Sequence, residues 1–193
     1  MTQRKIIGFA VTLPVTLIAA LLIWAVIQND GNPGGLAVNQ TLGEQRVSAQ
    51  PGADFELQSI DGDEMVRLSD MRGKIVLVDF WSSWCPPCRQ ESPALKAAYD
   101  DFRDQGVEFV GIAIWDVDSE TRKFRDAFEL EYPIVIDSRG GVAVDWGVVG
   151  LPEKFFVDRE GRVVKKYAGP MTRDRIGLEL RAILDASPTA TLP

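Results

Sequence analysis

Val76–Glu91 reads VLVDFWSSWCPPCRQE and holds the only two cysteines of the 193-residue chain, Cys85 and Cys88. Two thiols at C-x-x-C spacing can bridge across one helical turn. The run before them, Ile75–Trp81, is apolar and β-branched apart from Asp79, which predicts a buried strand ending where the cysteines begin. Proline suits the first turn of a helix, where its missing N–H is not needed. The stretch therefore predicts a strand, a short turn and a helix opening at Cys-Pro-Pro-Cys. That order places Cys85 at a helix N-terminus, where unpaired N–H groups and the positive end of the dipole favour a thiolate. Cys85 is the candidate nucleophile and Cys88 its partner.

Three other readings of the pair compete with redox chemistry. A structural disulfide closing so few residues constrains the unfolded chain little. A metal site would need further Cys or His ligands, and the chain has neither, so no metal is expected. The third is an inert pair of core thiols. A site between a buried strand and a helix N-terminus favours a redox-active disulfide over all three.

Working outward, composition narrows the function further. A net charge of −7 and an isoelectric point near 4.7 leave no basic stripe for phosphates, so nucleic acid is not an expected partner. Histidine is absent, which removes Ser-His and Cys-His nucleophile pairs. Proton transfer falls to carboxylates, thiols or water, and no cofactor is called for.

Toward the N-terminus, Arg4 and Lys5 precede Ile6–Ile27, twenty-two residues without a charge. A span of ~20 such residues crosses a bilayer, and basic residues on its short side orient it. Residues 6–27 are therefore expected to be a signal anchor and residues 1–5 cytoplasmic. The rest of a single-pass membrane protein would lie outside the cell membrane. A cleaved signal peptide is the competing reading, against which stand the apolar length and the lack of a clear small-x-small site after Trp24. Residues 28–52, rich in Asn, Gly, Pro, Gln and Ser, are expected to form a flexible linker. Residues 53–186 carry the globular pattern and 187–193 form a tail.

Within that region Phe55 and Leu57, the turn Asp61-Gly62-Asp63 and Met65–Leu68 predict a β-hairpin, followed by a helical turn over residues 69–73. After the central strand comes a helix from Pro86 to about Asp104, then a strand at Val107–Ile114. A helix over Ser119–Leu130 is expected, with Ser119 as its N-cap. Ile134–Ile136 is a short strand, Gly140–Trp146 a short helix, and Phe155–Val157 with Val163–Ala168 a second hairpin. Thr172 caps a last helix ending near Asp185. This order predicts an α/β fold with a mixed sheet.

Asp79-Phe-Trp-Ser-Ser-Trp84-Cys-Pro-Pro-Cys88 resembles the active-site segment of thioredoxins. Ala53-Asp54-Phe55, Leu68-Ser-Asp-Met-Arg-Gly-Lys74, Gly150-Leu-Pro-Glu-Lys-Phe-Phe-Val-Asp158 and Gly161 extend the likeness to the membrane-anchored TlpA/ResA/CcmG (DsbE) branch. That branch comprises bacterial extracytoplasmic thiol–disulfide oxidoreductases. The resemblance implies a thioredoxin-like fold, with the central insert of this branch over Ser119–Pro133. It also implies that Pro152 is a cis-proline facing the dithiol, in a substrate-docking region with Trp84, Pro86, Pro87, Leu151 and Glu153. Glu91, three residues after Cys88 on the same helical face, is positioned to take that thiol's proton. Asp79 resembles the buried aspartate of thioredoxin, but Val107–Ile114 offers it no lysine, so uncompensated desolvation should keep it protonated longer. Glu153 would add acidity beside the site. The implied activity is reduction of disulfides in partner proteins, apocytochrome c foremost. A membrane thiol carrier of the DsbD/CcdA type would supply the electrons and would thus support cytochrome c maturation. Alternatives are a general extracytoplasmic disulfide reductase, a thiol peroxidase, or a non-enzymatic peptide-binding module. The peroxidase motif Pro-x-x-x-Thr-x-x before the reactive cysteine is not met ahead of Cys85.

Overall fold

The computed structural model describes residues 14–21, 23, 24, 37, 38, 43–45, 50–62 and 64–186, and the chain divides into two units, Met1–Ala37 and Val38–Pro193. In the first unit the described residues 14–21, 23 and 24 are helical and exposed, Leu17, Ile18 and Trp24 among them. Among the described residues no helix is long and apolar enough to cross a membrane. The remainder of the expected anchor 6–27 lies outside them, as do residues 1–5 and the tail 187–193.

In the second unit Gly43–Gln45 (β1) and Gln50–Pro51 (β2) are strands on a sheet edge, which corrects the expectation that all of 28–52 is linker. The strand they join, Arg162–Ala168, offers a row of N–H and C=O groups that polar segments satisfy with backbone alone. Glu56–Gln58 (β3) and Met65–Arg67 (β4) make the expected antiparallel hairpin, and Leu68–Met71 the 3-10 turn after it.

Ile75–Trp81 (β5) is buried at all seven positions, Asp79 included, as a strand covered on both faces must be. Pro86–Phe102 (α1) follows, then Val107–Ile114 (β6), Asp118–Phe128 (α2), Ile134–Asp137 (β7) and Gly141–Asp145 (α3). Glu153–Val157 (β8), Arg162–Ala168 (β9) and Arg173–Ala186 (α4) complete the unit. The seven-stranded sheet runs β1-β9-β8-β5-β6-β7, with β2 also on β9. Strands β5, β6 and β7 are parallel, while β8 is antiparallel to both β5 and β9. This is the expected mixed sheet with helices packed on it.

Of the element starts that differ from expectation, two have a clear physical cause or consequence. Helix α2 begins at Asp118 with Val117 in the cap position and no side-chain cap, so Ser119 lies inside the helix. The β8 strand begins at Glu153 rather than Phe155, because two charged side chains are buried there by ion pairing. Thr172 caps α4 as expected, its Oγ1 accepting from Arg175 N–H at 3.3 Å. On one sheet face Phe80, Trp146 and Phe155 pack with ring centroids 5.1 to 5.8 Å apart. On the other, Trp81 packs against Phe124 of α2 at 4.2 Å, so α2 is fastened beside the cysteine segment.

Candidate active site

Strand β5 delivers the chain to the sheet's C-terminal edge, where Ser82 and Ser83 turn it into α1. Ser82 Oγ donates to Ile114 C=O at 2.6 Å, and Cys85 N–H donates to Ser82 C=O at 3.1 Å. Ser83 donates twice to Asp116, from N–H at 2.6 Å and from Oγ at 2.9 Å. Asp116 also accepts Val117 N–H at 2.9 Å, so one nearly buried carboxylate ties the loop after β5 to the loop after β6. Asp116 escaped the sequence reading. The parallel pairing of Trp81 with Ala113 brings these two loops side by side, and that register is the signal that finds it.

Cys85 is the N-cap of α1, with Pro86 and Pro87 in the first two helical positions. The two prolines lack N–H groups, so the first N–H free to point at the cap is that of Cys88, which donates to Cys85 Sγ at 3.3 Å. A thiolate at Cys85 would take the same hydrogen bond and the helix dipole with it. Cys85 and Cys88 are joined in a disulfide, with Cα atoms 5.3 Å apart. Both residues are shielded from solvent, at 0% and 1% exposure. Next in sequence, the Arg89 guanidinium lies 5.4 Å from the ring centres of both Phe124 and Phe128, clamping α1 to α2.

Beneath the disulfide lies a buried cluster of charge. Glu91, one turn beyond Cys88, accepts from Lys154 Nζ and, at 2.9 Å, from Met171 N–H. Lys154 Nζ is 3.7 Å from Asp79 Oδ1 and donates to Gly169 C=O at 3.2 Å. Lys154 is fully buried and stands opposite Asp79 in the β8–β5 pairing. The expectation that Asp79 lacks a lysine is thus corrected: β6 offers none, but the antiparallel neighbour does. Burial pushes the Asp79 carboxyl above its usual range, and Lys154 opposes the shift. Burial likewise pushes Glu91 up to about 8, with Lys154 pulling down and the Asp79 charge adding to the rise. Tyr132, also buried, is raised well above its ordinary value by burial and by the charges of Asp79 and Glu91.

The remaining candidates divide by exposure. Trp84 (45% exposed) and Pro86 are open at the surface, and Pro87 is half-buried. Leu151 and Pro152 are buried, and the peptide bond between them is cis. Glu153 is expected to bring acidity beside the dithiol. Instead it pairs in register with Phe80, on the sheet face away from Asp79, where it is fully buried and ion-paired with Lys166 at 2.8 Å. Strand alternation separates it from its neighbour Lys154. Among the described residues there is no cluster of three or more metal-ligating side chains.

The chain is similar to known proteins in sequence and fold. The family profile described as AhpC/TSA matches residues 49–166. The chain is similar to thiol-disulfide oxidoreductase ResA of Geobacillus thermodenitrificans, at 38% identity over 130 residues, 67% of this chain and 74% of the relative. It is also similar to ResA of Bacillus subtilis, at 33% over 145 residues, 74% of this chain and 80% of the relative. Among solved structures it is similar to a putative thiol:disulfide interchange protein DsbE from Chlorobium tepidum. That likeness has a TM-score of 0.65 at 31% identity and covers 74% of this chain and 99% of that one.

Proposed function

The chain belongs to the AhpC/TSA family, as a thiol-disulfide oxidoreductase of the ResA type with a thioredoxin-like fold, and from that premise we propose that it reduces disulfides in partner proteins outside the cytoplasmic membrane. The observation that carries the exchange chemistry is the capping geometry at Cys85, while the reducing direction follows from the likeness to ResA. A sulfur that accepts a helix N–H while closing a disulfide is also a good leaving and attacking thiolate. In the forward reaction the Cys85 thiolate attacks a partner disulfide and displaces one partner sulfur as a thiolate. Cys88 then attacks Cys85 Sγ in the mixed disulfide, the second partner sulfur leaves, and the Cys85–Cys88 bond closes. The partner gains two electrons, and the dithiol loses them.

An oxidised product must be recharged, and a membrane thiol carrier of the DsbD/CcdA type is the electron donor in this reading. The charged residues Arg4 and Lys5 ahead of the uncharged run 6–27 support an anchor that keeps the domain near such a carrier. The substrate in this reading is apocytochrome c, whose haem-attachment thiols have to be reduced before ligation. Exposed Trp84, next to Cys85, offers an apolar surface on which the partner segment docks.

The test is capture. In cells, a Cys88→Ser protein should accumulate mixed disulfides through Cys85, with an apocytochrome c among the adducts, and Cys85→Ser should give none. Failure of Cys88→Ser to trap any extracytoplasmic protein would reject the exchange reading. Adducts lacking cytochrome c would reject the substrate.

A further inference from the structure

Lys154 belongs to the segment Gly150–Asp158 with no role yet given to it, and its ammonium is fully buried and faces both Asp79 and Glu91. Burying three ionised groups of net charge −1 is costly, so the two carboxyls keep a proton between them. Hydrogen bonding decides where it sits. Glu91 accepts from Lys154 Nζ and Met171 N–H, whereas Asp79 Oδ1 accepts no hydrogen bond. Donors favour the charged form, so Asp79 holds the proton more firmly and Glu91 is the group that exchanges.

We propose that Lys154 is a positioning residue for the second half of the exchange, holding Glu91 as the base that takes the proton of the Cys88 thiol. This rests on the exchange chemistry above and adds the proton route to it. In the mixed disulfide, Cys88 passes its proton to the Glu91 carboxylate, and the resulting thiolate attacks Cys85 Sγ. The bond from Cys85 to the partner breaks, and the partner sulfur leaves as a thiolate that is protonated by water. The disulfide form therefore ends with the proton on Glu91. Burial pushes Glu91 in that form up to about 8, so at neutral pH it keeps the proton it has taken.

The groups that face this proton come from several elements. They are Asp79 on β5, Cys88 and Glu91 on α1, Lys154 on β8, and the Tyr132 phenol ahead of β7. The backbone adds Met171 N–H and Gly169 C=O before α4. Among the described residues, Lys154 is the cation that acts on Glu91. Without it both carboxyls would stay protonated and Cys88 would lack an acceptor.

The test uses reduced full-length protein and 5,5′-dithiobis(2-nitrobenzoate). The first coloured thiolate is released by Cys85 attack and the second by Cys88 resolution, and both are followed from about pH 5 to about pH 10. Lys154→Met should slow the second phase about tenfold or more at neutral pH, slow it more than the first, and move its midpoint to higher pH. Lys154→Arg keeps the charge and should keep the midpoint near that of the wild type. In a Glu91→Gln background, Lys154→Met should move the midpoint no further. An unmoved midpoint in Lys154→Met, or a further shift in the double variant, would overturn the assignment. If Lys154→Met does not fold, loss of the wild-type midpoint in Lys154→Arg would overturn it. Absence of a second phase in the wild type would instead overturn the exchange reading beneath it.

Discussion

Lys154 stands directly opposite Asp79 in the antiparallel pairing of β8 with β5, and its Nζ reaches past Asp79 to hydrogen-bond Glu91 on the helix above. A single lysine thus answers two buried carboxyls, one from the sheet and one from the cysteine helix.

The first prediction concerns stability against pH. Glu91 has a folded value of about 8, raised by burial from the ordinary 4.5, so between these values the folded disulfide form binds more protons than the unfolded chain. Stability is greatest below the unfolded value and falls as pH rises through the window toward 8. The slope reaches about 1.4 kcal/mol per pH unit for one full proton. Denaturant midpoints of the oxidised protein should decline from pH 5 to pH 8, and Glu91→Gln should flatten that decline. An equal slope in Glu91→Gln would show that another group carries it.

Asp116→Ala removes the acceptor of Ser83 N–H, Ser83 Oγ and Val117 N–H together. Stranded donors in a nearly buried position should cost about 2 to 3 kcal/mol. Because the loop leading into Cys85 loses its tether, insulin reduction should fall about tenfold while the fold persists by circular dichroism. Asp116→Asn keeps one acceptor oxygen and should lose less.

Pro87→Ala restores an N–H in the first turn of α1, where only the Cys88 N–H now reaches the cap sulfur. A second donor to the thiolate should lower the Cys85 pKa by about one unit and make the disulfide more oxidising. Thiolate absorbance of Cys85 in a Cys88→Ser background reads the first effect, and glutathione equilibria read the second.

Gly111→Ala would place a methyl 2.8 Å from Trp81 Nε1 and 3.2 Å from the Tyr132 ring, inside the central sheet. The indole is fully enclosed and cannot yield cheaply, so a loss of about 1 to 3 kcal/mol is expected in urea unfolding. Unchanged stability would mean that the Trp81 side chain has somewhere to go.

Much of this architecture is legible from residue pattern because the central elements are buried without ambiguity. Strands β5 and β6 occupy the expected spans Ile75–Trp81 and Val107–Ile114, since an unbroken apolar run of strand length bounded by polar turns has one reading in a doubly covered sheet. The start of β8 is not legible by the same rule. By residue type Glu153 and Lys154 do not belong in a strand core, and their partners Lys166 and Glu91, from distant segments, let them lie inside. Lys154 was within reach of a register argument. Alternation back from Phe156 places it on one sheet face, and an antiparallel strand after the cis-proline sets it beside Asp79. Ser119 was named as a cap from its residue type, whereas Val117 takes that position and Asp116 spends its carboxylate on Ser83.

The burial of Cys85 and Cys88 bears on how the protein stays useful among unrelated thiols. A disulfide covered in this way presents little sulfur to solvent, so small reductants and oxidants reach it slowly. In the proposed exchange, a partner that docks beside exposed Trp84 would be held where its disulfide can meet Cys85, so recognition favours electron flow and slows the drain of the dithiol by chance encounters.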